Sequence, residues 1–296
     1  MLPIVLALSL VASLALTARR VSRVPADAAL DAAAAEVRLG FRPGDVVVTT
    51  PPWMAGVQAR LGDLPLFPVR ELDPADLAGF ARVWLVEVRG AGVDDRVRRS
   101  LATLGPLTDV HAATDARVSL TALAHPRAAV LDLWRDLARV RVLAHYAGAT
   151  APVVCGPWTG QAWPCPRSPE WSYVGREVHA LGNVPRPCVW AHPLPAGGVL
   201  RLELPALPAP AGRRSLALGF GFIDDVLGRA RAPVSLRVLR GAEVLWRGQR
   251  PVVEGMGGVE LPLGDDVTPL ALELETTNEG AAHFCVSATV LDGSEP

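Results

Sequence analysis

Four aromatic side chains in one short stretch, Trp158, Trp163, Trp171 and Tyr173, are the residues of this sequence best suited to touching a ligand. They stand among Pro152, Pro157, Pro164, Pro166 and Pro169, which stiffen the backbone that carries them. A flat apolar ring suits the face of a sugar, and the same rings serve equally well to plug the end of a hydrophobic core. Asp224-Asp225 is the best carboxylate pair. It supplies hard oxygens of the kind Ca2+ takes, or the caps of an ordinary surface turn. Asp94-Asp95 precedes a helical pattern and complements its N-terminal dipole.

The six histidines, His111, His125, His145, His179, His192 and His283, form neither H-x-H nor H-E-x-x-H. A bond between Cys188 and Cys285 would carry His192 and His283 to one end of a sandwich, where with Asp224 they could hold a metal or move a proton. Buried, hydrogen-bonded imidazoles are the ordinary reading of the same residues. No serine stands in a G-x-S-x-G elbow, and no G-x-G-x-x-G follows a strand. Gly219-Phe220-Gly221 lies within a β pattern and reads as packing space. All 29 basic residues are arginine, which removes Schiff-base and Walker-type lysine chemistry. With 30 acidic residues the net charge is −1, too balanced for a phosphate-neutralising face, so nucleic acid is excluded as a partner.

Cys155, Cys165, Cys188 and Cys285 all fall in the second half, with spacings that match no zinc knuckle or C-x-x-C motif. Four cysteines allow three pairings. We expect Cys155–Cys165 to close the Pro/Trp-rich loop and Cys188–Cys285 to join distant strands, against the alternative of four buried thiols. Disulfides place the chain outside the cytoplasm. Residues 2–16 are an uncharged Leu/Ala/Val run followed by Arg19, Arg20 and Arg23. Extended to Ala18 the run is near the short end of the spanning range; Ser13-Leu14-Ala15 is a passable cleavage site, whereas arginines directly after the run oppose export. Three readings fit: an uncleaved anchor, a signal peptide whose start lies upstream, and the last span of a longer polytopic protein. We read residues 1–18 as a signal/anchor helix that anchors the chain in the membrane, with the remainder extracytoplasmic, in the periplasm or at the cell surface.

Periodicity divides the rest. Residues 19–39 form an Ala-rich helical connector. From 40 to 138 strands and helices alternate: strands at Asp45–Thr50, Arg82–Val88 and Arg117–Leu123, helices at Trp53–Leu61, after Asp73-Pro74, at Val93–Leu104 and at Pro126–Ala138. That is a small α/β domain. From 139 to 293 the period is two, as in Val199–Leu204, Val234–Val238, Val259–Leu263, Leu270–Leu274 and Phe284–Ala288, with the Pro/Trp-rich loop 150–170 between. Short strands at such spacing predict an antiparallel β-sandwich. The fold class is therefore α/β plus all-β.

Two resemblances add to this. The segments Leu216–Asp225, Ala232–Val238, Arg240-Gly241 and Val244–Trp246 resemble a galactose-binding-like jelly roll of the NPCBM carbohydrate-binding type, over residues 170–293. Arg240 stands where that family has a hairpin acid. In the first half, Pro43–Val48, Pro52-Trp53 and Arg82–Val86 after an apolar span resemble the soluble C-terminal part of polytopic glycosyltransferases that use lipid-linked sugars. The membrane-proximal catalytic loop of those enzymes is absent. The expectation is a non-catalytic, membrane-anchored extracytoplasmic protein whose sandwich binds a glycan or another envelope component through Trp158, Trp163, Trp171 and Tyr173. The alternatives are an accessory domain beside a membrane glycosyltransferase and a purely structural envelope domain. No cofactor is implied beyond Ca2+ at Asp224 and Asp225.

Overall fold

The computed structural model describes residues 25–52, 54–69, 72, 74–77, 79–88, 95–113, 115–124, 126–166, 172–210 and 212–293. The expected anchor, residues 1–18, lies outside them, as do Trp53, Asp94, His125 and Trp171. Among the described residues no helix is long and apolar enough to cross a membrane. The structure is mostly β, in three sheets with few helices. It divides into two compact units, Met1–Pro126 and Arg127–Pro296.

In the first unit β1 (Asp45–Thr50) pairs in parallel with β2 (Leu66–Pro68) and β3 (Arg82–Val88). Strands β4 (Thr108–Ala112) and β5 (Ala116–Ala122) complete the sheet antiparallel, in the order β2-β1-β3-β5-β4. Helix α1 (Asp27–Gly40) buries Leu30, Ala33, Ala34 and Val37, one face of a 3.6-residue repeat. With α2 (Ala55–Leu61) it covers Val47, Trp84 and Val86. On the opposite face α3 (Arg96–Ala102) sets Val97 and Leu101 against Val48, Val83 and Leu85.

Two buried ion groups bolt the ends of β3. At its start Arg82 grips Asp45 through Nη2 at 2.6 Å and Nε at 2.8 Å, and Trp84 Nε1 donates to the same carboxylate at 2.9 Å. Burial pushes the Asp45 carboxyl up; the bonds from Arg82, Trp84 and the Arg42 amide outweigh it and hold the group below its ordinary range. Near the end of β3, Arg98 of α3 donates to Glu87 at 2.7 Å, to Asp109 at 2.9 Å and to Ser119 at 2.6 Å. Every charge taken into the interior here has a partner, as burial demands.

The second unit is two sheets face to face. One runs β16 (Gly257–Pro262), β13 (Arg213–Phe222), β18 (Phe284–Gly293), β11 (Val184–Ala191), β10 (Tyr173–Leu181), β9 (Ala162–Pro164), with β6 (Arg127–Asp132) also on β18. The other runs β15 (Glu243–Arg250), β14 (Val234–Arg240), β17 (Leu270–Thr276), β12 (Val199–Glu203), β7 (Arg141–His145), β8 (Val153–Val154). Alternation supplies the core: Leu216, Leu218, Phe220 and Val286 from the first sheet meet Val142, Leu200, Leu202, Leu236, Leu272 and Leu274 from the second. The intervening residues of the second sheet form a charged ladder across its outer face, with Arg141 on Glu203, Arg201 on Glu203 and Glu273, and Arg237 on Glu273 and Glu275.

Residues 126–138, expected as a helix, are strand β6 followed by the single turn α4 (Leu133–Asp136). The apolar residues of this stretch fit a helical repeat, and pairing with β18 overrides that local preference. The turn starts where the Asp132 carboxylate accepts from the Arg135 amide.

Both expected disulfides are present, and they do different work. Cys155 follows β8 and Cys165 follows β9, so their bond joins the margins of the two sheets, with Cα atoms 4.3 Å apart. Cys188–Cys285 joins β11 to β18 inside one sheet, Cα to Cα 5.5 Å. The latter closes a sequence separation of 97 residues against 10. On loop-closure entropy, Cys188→Ala/Cys285→Ala should cost about 5 kcal/mol and Cys155→Ala/Cys165→Ala about 3 kcal/mol. Urea unfolding of the two double variants checks the order; equal losses would contradict it.

Candidate functional site

Among the described residues a close group of polar aromatic side chains belongs to the hairpin of β10 and β11, which the period-two pattern does not reveal. Strands β10 and β11 pair from Val174↔Ala191 to Leu181↔Val184 around Gly182-Asn183. Both turn residues have positive φ, 65° and 63°, the requirement of a two-residue hairpin turn of the mirror-image type. That dipeptide is the signal that identifies the hairpin; Pro185 and Pro187 in β11 obscure it. Pairing alternates from the turn, so the prolines occupy positions whose amides face away from β10. Strand β18 meets β11 only at Val189 and Trp190, so no ladder bond is missing where the prolines stand.

Past that short joint the hairpin curls. Tyr173 and His179 are six residues apart, about 20 Å along a straight strand. Yet the Trp190 ring lies 6.0 Å from Tyr173 and 5.1 Å from His179. The tip reaches back to the end of β13: the Gly182 and Asn183 amides donate to the two oxygens of Asp224, each at 2.7 Å. Asn183 Nδ2 donates to Glu254 at 2.9 Å. Leu181 comes so near Gly221 that a Cβ there would sit 2.9 Å from its Cδ2.

Inside the curl Trp190 is 6% exposed and touches four rings: Tyr173, His179, His192 and His283, the last at 4.8 Å. Its Nε1 is buried without a hydrogen-bond partner among the described residues. Tyr173 and His283 are half-buried. The Tyr173 ring runs along its strand across Gly175, where an added Cβ would sit 2.9 Å from Cε2, and its hydroxyl donates to Glu177 Oε1 at 2.7 Å. Burial and the adjacent Glu177 carboxylate push the Tyr173 phenol up to about 12.

The sequence-derived candidates divide between two faces. Trp163 pairs with Val174 and Pro164 with Tyr173, so Trp163 and Tyr173 project to opposite sides of the sheet. Trp163 packs against Trp158 at 5.3 Å and donates through Nε1 to the Leu137 carbonyl at 2.9 Å. The Arg176 guanidinium lies 5.5 Å from the Trp158 ring and donates to the Trp134 and Arg135 carbonyls. Asp224 holds the hairpin tip with both oxygens, and Asp225 is its neighbour in a short 3-10 turn. Among the described residues no group of three or more His, Cys, Asp or Glu side chains is placed to hold a metal ion. His192 and His283 do meet, ring centroids 5.6 Å apart.

No family model matches the sequence, and no curated protein matches it. Solved structures align with it at low similarity. The CBM51-2 and INT domains of Clostridium perfringens ZmpB align at 11% identity and a TM-score of 0.32, over 64% of this chain and 37% of that one. CBM51-2 with INT domains of the same protein, in complex with GlcNAc, aligns at 11% and 0.27, over 40% and 25%. CBM51 from Clostridium perfringens GH95, in complex with methyl-galactose, aligns at 13% and 0.25, over 38% and 77%. The chain thus spans a quarter to little more than a third of the two ZmpB structures. Scores this low assign neither family nor ligand, and the glycosyltransferase resemblance of the first half has no counterpart among these matches.

Burial gives the site an acid limit. It pushes His192 down to about 4, helped by His283, while the bond to the Pro193 carbonyl and the charge of Glu279 oppose the shift. His283 moves in the same direction, first by burial and then through Arg229 and His179, against Asp225. A base whose folded value lies below its unfolded 6.5 costs nothing above that pH, and stability falls as pH drops from 6.5 towards 4. NMR titration of the imidazoles should find His192 still neutral at about pH 5.5; an ordinary titration near 6.5 would contradict the burial.

Proposed function

We propose that the second unit is a non-catalytic glycan-binding sandwich, a jelly roll of the galactose-binding-like type, carried outside the cytoplasm on a membrane anchor. The observation that carries the reading is the setting of Tyr173. Its ring is half-exposed and fixed at three points: against Trp190, across Gly175, and through its hydroxyl to Glu177. A ring held in place loses little entropy when a sugar stacks on it, and the neighbouring carboxylate and imidazole supply hydrogen bonds to hydroxyl groups. Two disulfides fit an oxidising compartment, and the near-zero net charge fits a neutral partner. The contact surface is drawn from Tyr173 rather than from Trp158 because Trp163 and Arg176 flank the Trp158 ring.

Affinity electrophoresis against a panel of envelope and plant polysaccharides tests this. Retardation by at least one neutral glycan is expected in the native chain. Replacing Tyr173 by Ala should weaken it by about tenfold or more, the scale of one lost stacking contact, while Tyr173→Phe keeps most of it. Trp158→Ala, on the opposite face, should leave it in place. Retention of binding in Tyr173→Ala with loss in Trp158→Ala would move the site to the other face and sink the proposal.

A further inference from the structure

We infer that the Tyr173 platform prefers sugars bearing a free amino group over N-acetylated sugars and discriminates against uronic acids; this rests on the glycan-binding reading above. The residue that decides it is Glu177, which follows Tyr173 and Gly175 on the same face of β10. One carboxylate oxygen, Oε1, accepts from the Tyr173 hydroxyl at 2.7 Å. The other, Oε2, has His179 Nε2 as its nearest partner at 3.7 Å, beyond hydrogen-bonding range. Glu177 keeps 29% of its side chain in solvent, so this oxygen is an acceptor with room for a donor, beside a half-exposed ring.

The ion-pair partner of Glu177 among the described residues is His179, which is charged only when protonated. Opposite Glu177 on β11 stands Cys188, already bonded to Cys285. Arg186 stands opposite His179. A hydroxyl donor would satisfy Oε2 with an ordinary hydrogen bond. An ammonium group satisfies it with a charge-assisted one, about twice as strong, whereas a ligand carboxylate has no proton to offer and meets like charge. Partial exposure and salt screening limit the gain to a factor of about three to ten.

Calorimetric titration of the full chain with three oligosaccharides reads this directly. The probes are chitohexaose, its fully deacetylated counterpart and hexagalacturonate, at about pH 6, where a sugar amine is protonated. The expected order is deacetylated tightest, by about three- to tenfold, and hexagalacturonate weakest. In Glu177→Gln the ratio of deacetylated to acetylated affinity should fall to about one. Glu243→Gln on the distant edge strand changes net charge equally and should leave the ratio as it is. The native ratio should also narrow in high salt, a readout that needs no variant. Equal native affinities for the amine and the acetamide, or a ratio that survives in Glu177→Gln, would overturn the inference while leaving glycan binding intact. Absence of binding to all three probes and to the polysaccharide panel, or binding indifferent to Tyr173→Ala, would overturn the underlying reading instead.

Discussion

Strands β11 and β18 touch at two residue pairs, Val189 with Val286 and Trp190 with Cys285, and the arrangement of the second unit depends on how short that joint is. A longer ladder would hold the β10–β11 hairpin flat in the sheet and leave Trp190 on an open face. Two pairs let it bend, and the Cys188–Cys285 bond keeps so small a contact from opening. The rest follows from that bend. Leu181 closes on Gly221, the turn amides close on Asp224, and four rings gather around one indole. Below the joint the C-terminal part of β18 pairs with β6 instead, so the ladder bonds that β11 gives up are not lost.

The two outer faces of the sandwich differ accordingly. The second sheet turns a ladder of paired arginines and glutamates to solvent, a surface already satisfied within itself. The first sheet turns a curled hairpin outward, with a buried indole, the His192 imidazole pushed down by burial, and a tyrosine whose ring is only half-covered. Two polar groups there lack a complete set of partners among the described residues: Trp190 Nε1 and one oxygen of Glu177. An unfinished set of hydrogen bonds on a braced scaffold is what a binding surface requires, and the charged ladder does not offer it.

Much of the scaffold is legible from residue types. The period-two segments in 199–293 became strands close to their expected bounds, and Asp45–Thr50 and Arg82–Val88 coincide with β1 and β3. The cysteines pair as expected, because a ten-residue separation closes a stiff loop readily and leaves one partner each for Cys188 and Cys285. The β10–β11 hairpin was not legible. Its two prolines argue against a strand wherever a second neighbour is assumed, and only the two-residue joint to β18 removes that neighbour. Residues 126–138 failed for a similar reason, since a strand added to a sheet margin owes its conformation to a partner far away in sequence. The site suffered from both. Tyr173 was identified by type and His192 with His283 by the expected disulfide, but Glu177, His179 and Trp190 meet only because the hairpin bends.

The central claim is that ligand contact occurs on the Tyr173 face of this hairpin. Residue-resolved NMR titration with a glycan that the chain retains tests it most directly. The account predicts the largest shifts at Tyr173, Glu177, His179 and the indole N–H of Trp190, with the Trp158 and Trp163 resonances unmoved. Shifts confined to Trp158 and Trp163, with the Trp190 indole unchanged, would contradict it.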